Sequence, residues 1–314
     1  MKILISSRSF GKIDSTPIQL LKNAGFETIL NPYNRKLKED ELVELIKDAV
    51  GLIAGTEKIT EKVLQNARYL KVISRYGVGL DSIDLEAAKN RGIVVCTTPD
   101  APTQAVAELT LASILNLYRR IGEVDRNLRS NNWNPLMGRL LFNRTLGIIG
   151  LGRIGKQLVR LVQPFELKIL AHELYPDKKF ISSFGVKLAS LEEVLSNSDI
   201  VSLHIPLTKE TYHLIGKKEL ALMKPDAILV NTARGGLIDE EALIDALKKG
   251  IIGGAAIDTF ENEPYTGPLK DFDNIILTPH IGSYAKETRI RMELETVNNL
   301  INTLNRGVLK NRDF

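Results

Sequence analysis

Thr145-Leu-Gly-Ile-Ile-Gly150-Leu-Gly152-Arg-Ile-Gly155-Lys-Gln-Leu-Val-Arg-Leu-Val162 reads as a short apolar strand, a glycine turn and an amphipathic helix. A Gly-x-Gly-x-x-Gly turn between strand and helix has a physical task. Gly150 permits the tight turn, Gly152 lets the backbone approach a pyrophosphate, and Gly155 lets helix and sheet pack closely. The helix start adds N–H groups and the positive end of a dipole, both suited to phosphate. Three glycines alone are a weak signal, because ordinary turns use the same residue. The flanking sequence decides the matter.

Downstream, a second strand over Leu167–Ala171 ends at His172 and Glu173. Glu173 follows Gly155 at close to the roughly 20-residue spacing of the acidic residue that takes the adenosine ribose hydroxyls. A carboxylate there favours NAD and repels the additional phosphate of NADP; a charged strand end facing solvent is the alternative. Further strands are predicted at Asp199–His204, Ala227–Asn231, Ile252–Asp258 and Ile275–Thr278, with helices over Ser190–Ser196 and Asp239–Lys249. The glycine turn therefore opens a complete doubly wound domain.

Upstream, residues 1–98 also alternate strand and helix. Strands are predicted at Lys2–Ile5, Glu27–Asn31, Gly51–Ala54, Lys71–Ser74 and Ile93–Thr97, and helices at Thr16–Ala24, Glu39–Ala49, Thr60–Ala67 and Asp84–Asn90. Ser6-Ser-Arg-Ser follows the first strand where a phosphate turn would be Gly-rich, so this half is not the nucleotide domain. After the helix-start signal Asp100-Ala-Pro102-Thr103, one long helix is predicted from Thr103 to about Arg129. It exceeds what a crossover needs, and serves as a domain connector, a dimer contact or a long core helix. Asn131-Asn-Trp133-Asn-Pro135 breaks it. A last helix from Ser283 to Gly307 carries Ile290, Leu294, Val297, Ile301 and Leu304 as one apolar stripe, suited to packing on the first domain.

The fold class is thus α/β, with two Rossmann-like domains built on doubly wound parallel sheets. Residues 1–98 with 284–314 form one domain, and 99–283 the NAD-binding Rossmann domain. Composition agrees: 314 residues suffice for two cores, and 44% hydrophobic with 25% charged residues is a globular balance. A net charge of +4 gives no argument for nucleic acid. The single cysteine, Cys96, excludes an internal disulfide and lies in an apolar run as a core filler, pointing to a reducing cytoplasm. The Met1–Ser7 segment is too short and too polar for a signal peptide, and no window approaches a bilayer-spanning length. No membrane, nucleic acid or metal partner is expected.

Three segments beyond late strands could carry chemistry: Asn231-Thr-Ala-Arg234-Gly-Gly, Asp258-Thr-Phe-Glu-Asn-Glu263-Pro and Thr278-Pro-His280-Ile-Gly. Ligands of open α/β sheets bind at the carboxyl ends of strands. A histidine there can move a hydroxyl proton, a carboxylate can orient it and favour its charged form, and an arginine can grip a substrate carboxylate. Singly, Arg234 reads as a surface turn residue, Glu263 as a helix-start carboxylate and His280 as a cap. Together they match hydride transfer at a 2-hydroxy acid.

With Ser74-Arg-Tyr-Gly77-Val-Gly79-Leu-Asp81-Ser-Ile-Asp84, Val106-Ala-Glu108-Leu-Thr110 and His204-Ile-Pro206-Leu-Thr208, these segments make the chain resemble the D-2-hydroxyacid dehydrogenases over nearly its whole length. The resemblance implies two Rossmann-like domains, with 1–98 and 284–314 together a flavodoxin-like substrate domain, an NAD and 2-hydroxy or 2-keto acid cleft between the two, and a homodimer. It implies His280 as acid/base, Glu263 as its partner, and Arg234 as carboxylate and carbonyl binder. It further implies that Val78 and Gly79 hold the substrate carboxylate by backbone N–H groups, assisted by Arg75. Gly150, Gly152, Arg153, Ile154 and Gly155 would meet the pyrophosphate, Glu173 the ribose and Asp258 the nicotinamide amide; Ala233, Ile205 and Gly282 would line the cofactor groove. His204 marks a strand end near that groove. Glu173 departs from the family's usual aspartate, keeping the charge on a longer arm.

Within the family, Thr98-Pro-Asp-Ala-Pro-Thr-Gln-Ala-Val-Ala-Glu108 and the Ser74–Gly79 phrase are most similar to phosphoglycerate dehydrogenases, and a short form lacking the serine-sensing domain that many of them carry is the expectation. The leading substrate pair is 3-phosphoglycerate and 3-phosphohydroxypyruvate, with hydroxypyruvate or glyoxylate reduction as the alternative. Ala54-Gly-Thr-Glu-Lys-Ile-Thr60 stands where some relatives place phosphate-binding arginines, leaving Lys58 and Arg75 nearby. Formate oxidation is disfavoured, because that branch pairs its histidine with glutamine. An NAD-sensing corepressor, a remote alternative from another class, keeps the same three residues.

Overall fold

The computed structural model describes residues 1–310, which fall into two compact units: Met1–Pro102 with the chain from Ser283 on, and Thr103–Gly282. The first unit opens with β1 (Lys2–Ile5), α1 (Thr16–Asn23), β2 (Glu27–Leu30), α2 (Glu39–Ile46), β3 (Ala49–Ala54), α3 (Glu61–Asn66), β4 (Val72–Arg75), α4 (Leu85–Asn90) and β5 (Val94–Cys96). Its strands pair in parallel in the order β2-β1-β3-β4-β5, so the winding reverses between β1 and β3. The two six-residue helices, α3 and α4, start on side-chain caps. Asp84 Oδ1 accepts the Ala87 N–H at 2.9 Å, a contact type that contributes about 1 kcal/mol. Leu42, Ile46, Val63 and Leu64 cover one face of the sheet, and Phe10, Leu21, Val297 and Leu300 the other.

The second unit contains α5 (Thr103–Arg119), α6 (Ile121–Arg129), β6 (Thr145–Ile149), α7 (Arg153–Val162), β7 (Lys168–His172), α8 (Lys178–Phe184), β8 (Lys187–Leu188), α9 (Leu191–Asn197), β9 (Ile200–Leu203), α10 (Lys217–Leu222), β10 (Ile228–Asn231), α11 (Glu240–Lys248), β11 (Gly254–Ile257) and β12 (Ile275–Leu277). Its seven parallel strands run β12-β11-β10-β9-β6-β7-β8, so the reversal falls between β6 and β9. α7 buries Leu158, Val159 and Val162, each contributing about 1.5–3 kcal/mol relative to exposure. Apolar clusters lie on both faces of the sheet, as its β-branched, continuous strands require.

Two helices differ from their sequence patterns. The predicted single helix from Thr103 to Arg129 is two, because Arg120 adopts φ 53°, in the left-handed region. Asn116 Oδ1 accepts the Gly122 N–H at 2.8 Å, and Arg120 forks onto Glu123, so side chains hold the break. The last helix, α12 (Lys286–Lys310), starts after Ser283 and passes through Gly307. One glycine costs a helix about 1 kcal/mol, too little to end it. Its buried face is Met292, Glu293, Thr296, Val297, Leu300 and Leu304, so Ile290, Leu294 and Ile301 of the apolar stripe are only half-buried. The rotation has a polar cause: the Glu293 carboxylate finds hydrogen-bond partners inside the unit, and Ser74 Oγ donates to the Thr296 backbone carbonyl. Cys96 is half-buried, its Sγ 3.6 Å from Thr303 Oγ1. The predicted domain end at Phe314 lies outside the described residues. Among those residues no helix is long and apolar enough to cross a membrane.

Candidate active site

The glycine turn follows β6, the strand at the reversal of the second sheet. Gly150 has φ +96°, and a Cβ there would lie 2.7 Å from the His204 carbonyl oxygen at the end of β9. Gly155 is buried, and its Cβ would sit 2.4 Å from the Gly150 carbonyl oxygen. Neither position accommodates a side chain. Gly152, at the N-cap of α7, is different: a Cβ there would meet nothing within 4 Å. Open space beside a helix N-terminus is what a pyrophosphate needs, and the α7 start has no side-chain cap. Arg153 is exposed and Ile154 half-buried in that first turn. Glu173, just past β7, turns back to accept the Leu151 N–H at 2.7 Å and the Tyr175 N–H at 2.8 Å. Its carboxylate thereby stands against the glycine turn. These residues fit a dinucleotide.

The ends of β9, β10 and β11 complete the rim. Ile205 adjoins Gly150, since a Cβ on Gly150 would lie 2.6 Å from its Cγ2. Beyond β10, the Ala233 N–H reaches Asn231 Oδ1 at 3.0 Å, and Asn231 Nδ2 donates to the Arg234 carbonyl at 2.8 Å. Arg234 is half-buried and bonds the Ala233 carbonyl at 2.6 Å. Gly235 explains how this turn meets the next one. A Cβ there would fall 1.9 Å from the Phe260 carbonyl carbon, so only glycine lets the Arg234 and Glu263 turns touch backbone to backbone.

His280, beyond β12, has φ 55°, a left-handed conformation that costs a non-glycine residue about 1–3 kcal/mol. Its surroundings hold it there. Its N–H donates to the carbonyls of Asp258 at 2.8 Å and Thr278 at 2.9 Å. The buried Asp258 carboxylate accepts Thr278 Oγ1 at 2.6 Å, the Ile281 N–H at 2.8 Å and the Gly282 N–H at 2.9 Å. The ring then meets Glu263, with Nδ1 at 3.0 Å from both Oε1 and Oε2. Glu263 Oε1 also accepts the Phe260 N–H at 3.2 Å. Burial acts to raise the Glu263 pKa, but the His280 hydrogen bond and charge, with the Phe260 N–H and the Arg234 charge, hold it below the usual value. With an ionised acceptor at Nδ1, that nitrogen carries the hydrogen and Nε2 is left for a reacting proton.

The second unit thus gathers Gly150, Gly152, Arg153, Ile154, Gly155, Glu173, Ile205, Ala233, Arg234, Asp258, Glu263, His280 and Gly282 on loops at the carboxyl ends of its strands. His204 lies there too, bonded through Nε2 to Ser202 Oγ at 2.9 Å. Arg75, the last residue of β4, and Val78 and Gly79, in the loop after it, belong to the first unit. Val78 is exposed, and Arg75 spends its guanidinium on backbone: Nε on the Gly79 carbonyl at 2.9 Å, and Nη1 on the carbonyls of Ala54, at 3.1 Å, and Gly55. Thr278 and Gly235 carry no role in the sequence pattern. Thr278 gives no signal there, whereas the glycine pair after Arg234 does, since paired glycines allow two backbones to approach closely.

Fold and site define a class, α/β proteins that hold a dinucleotide at a sheet reversal beside a histidine–carboxylate pair. Residues 111–282 match the profile of the D-isomer specific 2-hydroxyacid dehydrogenase, NAD binding domain. The chain is 46% identical over 259 residues to a D-3-phosphoglycerate dehydrogenase of Methanocaldococcus jannaschii, covering 81% of this chain but 49% of that one, so it spans about half that relative's length. It is 44% identical over 271 residues to a glyoxylate reductase of Thermococcus litoralis, covering 83% of this chain and 82% of that one. The crystal structure of D-lactate dehydrogenase from Aquifex aeolicus complexed with NAD and lactic acid is similar with a TM-score of 0.85 and 30% identity, over 99% and 97% of the two chains. The chain belongs to the D-isomer specific 2-hydroxyacid dehydrogenase family, and its cofactor is NAD.

Proposed function

We propose that this chain interconverts a D-2-hydroxy acid and its 2-keto acid, with 3-phosphoglycerate and 3-phosphohydroxypyruvate as the leading pair. The observation that carries the chemistry is the His280–Glu263 contact at 3.0 Å, beside the Arg234 turn. Bound NAD supplies the hydride acceptor, and NADH the donor in the reverse direction. His280 Nε2 removes the hydroxyl proton during oxidation and returns it during reduction. Glu263 fixes the ring's tautomer and favours its charged form. Arg234 binds the substrate carboxylate and polarises the carbonyl, while the Val78 and Gly79 N–H groups take the carboxylate's remaining acceptors. Gly152 with the first turn of α7, Arg153 and Ile154 holds the pyrophosphate, and Glu173 the ribose; Asp258 keeps an acceptor site for the nicotinamide amide.

Four observations bear on the substrate, two for each assignment. The similarity to a phosphoglycerate dehydrogenase at 46% identity supports the phosphorylated acid, as do the exposed cations Arg8 and Lys58 on the loops after β1 and β3. The second assignment, glyoxylate or hydroxypyruvate, draws support from the glyoxylate reductase similarity and from Arg75, whose guanidinium already serves three carbonyls. NADH absorbance with 3-phosphoglycerate, glycerate, lactate, hydroxypyruvate and glyoxylate separates them. Turnover of the unphosphorylated acids with none of the phosphate ester would overturn the leading assignment. The protein is further proposed to be a homodimer, supported by α6, which buries none of its residues within its own chain.

A further inference from the structure

The first unit buries a polar cluster that the chemistry above does not use. Glu293 is fully buried on α12, where its Oε1 accepts the Tyr76 phenol at 3.1 Å and its Oε2 the Gly11 N–H at 3.0 Å. Arg289, one turn earlier and also buried, lies over the Tyr76 ring at 4.3 Å from its centroid and over the Tyr284 ring at 4.7 Å. It also donates to Ser9 Oγ at 2.6 Å. Phe10 meets Tyr76 edge to face at 5.4 Å. Tyr76 is therefore held by its hydroxyl, its ring face and its ring edge. The next residue is Gly77, whose N–H is fixed by Thr98 Oγ1 at 3.1 Å, and then come Val78 and Gly79.

A buried carboxylate and a buried guanidinium are expensive ways to fill a core, and a leucine and a methionine would occupy similar volume without the desolvation cost. Burial drives the Glu293 carboxyl above its usual pKa, a sign of that cost. What the charged pair adds is direction. It ties the loops after β1 and β4 to one helix, by bonds with defined geometry.

We propose that Arg289 and Glu293 are positioning residues: they hold Tyr76, and through it the Gly77–Gly79 backbone, in the conformation that receives the substrate carboxylate. The inference rests on the assignment of that loop to the carboxylate. Misplacing two N–H donors weakens binding of the acid without touching the proton-transfer groups or the dinucleotide turn.

Tyr76→Phe, Glu293→Gln, Arg289→Lys and Arg289→Met test this in the full chain, with the best keto acid of the panel as substrate. KM for the acid is expected to rise about tenfold in Glu293→Gln and Arg289→Met, with kcat within about twofold and NADH affinity unchanged. Arg289→Lys, which keeps the charge without the planar stack, falls between. The double variant Tyr76→Phe/Glu293→Gln shows less than the sum of the single effects, because both break one bond. Val78→Pro removes one loop N–H and separates the two ideas. If Val78→Pro leaves KM unchanged, the loop does not hold the acid, and the positioning role falls with it. If Val78→Pro raises KM while the α12 variants lower only the melting temperature, the loop assignment stands and the positioning role is overturned.

Discussion

The Nδ1 atom of His280 is equidistant, at 3.0 Å, from the two carboxylate oxygens of Glu263, although the two residues come from loops after different strands. The pair is built by backbone. Asp258 ties the β11 end to the His280 loop, and Gly235 lets the Glu263 turn pack on the Arg234 turn. His280→Ala is expected to lower kcat about 10²–10⁴-fold while NADH binding, followed by fluorescence, stays at the parent value. Unaltered turnover would remove His280 from the acid/base role.

Glu263→Gln gives a distinct signature. Glu263 keeps 40% of its side chain exposed; burial of the remainder opposes its ionisation, but the His280 contact outweighs it and keeps its pKa low. It therefore presents a negative charge to the ring throughout the neutral range. In oxidation the ring takes up a proton, and a carboxylate at Nδ1 stabilises the charge that develops where an amide does not. Glu263→Gln should lower kcat about 10²-fold or more while NADH binding stays at the parent value. A kcat near the parent's would show that Glu263 only orients the ring.

Gly152 and Gly155 are three residues apart and should fail in opposite ways. A Cβ on Gly155 would sit 2.4 Å from a backbone oxygen that cannot retreat, so Gly155→Ala should cost about 1–3 kcal/mol of stability. A Cβ on Gly152 meets no protein atom within 4 Å, so Gly152→Ala should leave the melting temperature nearly unchanged. Its methyl group would instead stand where the pyrophosphate approaches, and the Kd for NADH should rise about tenfold or more, equivalent to about 1.4 kcal/mol. Equal NADH affinity in parent and Gly152→Ala would argue that the open space serves no phosphate.

Most of the architecture was legible because it follows from periodicity. Apolar strands alternating with amphipathic helices leave few ways to bury both, and the glycine turn told the two halves apart. Arg234, Glu263 and His280 were legible because each directly follows a predicted strand. The break at Arg120 was not, since a left-handed arginine has no sequence signature and the helical pattern continues across it. The rotation of α12 is hidden from sequence for a related reason: an apolar stripe assumes that polar residues face outward, whereas the Glu293 carboxylate has internal partners and Thr296 Oγ1 bonds the Met292 carbonyl of its own helix. Nor did sequence show that Arg75 points at carbonyls; an arginine's identity states its charge and not its direction.

His204 predicts the acid side of the stability profile. Its Nε2 bonds Ser202 Oγ, its Nδ1 has no partner among the described residues, and burial pulls its pKa down to about 4. In the unfolded chain the ring titrates near the ordinary histidine value of about 6.5. Between these values the unfolded state binds more protons, so this residue lowers stability as pH falls from about 6.5 towards 4. His204→Asn removes the titration, and its melting temperature should drop less than the parent's between about pH 7 and about pH 5. Equal drops in the two proteins would mean that the buried ring does not stay neutral.

The segment from α6 to β6 predicts the oligomeric state. α6 is amphipathic yet buries no residue, leaving Ile121 and Leu128 exposed. The stretch that follows exposes Trp133 at 86%, Met137 at 90%, and Leu140 and Phe142 beside them in sequence. Isolated apolar side chains are ordinary on a protein surface, but this many within one segment is the pattern of a surface that another molecule covers. A second copy is the simplest occupant, since a twofold contact lets one segment supply both sides. Light scattering on the eluting protein should give twice the 34.9 kDa chain mass. Placing glutamate at Trp133, Met137 and Leu140 together should return the mass to that of one chain, because a carboxylate is costly to bury at each contact. NADH binding by the second unit should persist in that variant, separating loss of the partner from loss of the fold. A parent protein that elutes as a single chain would end the proposal.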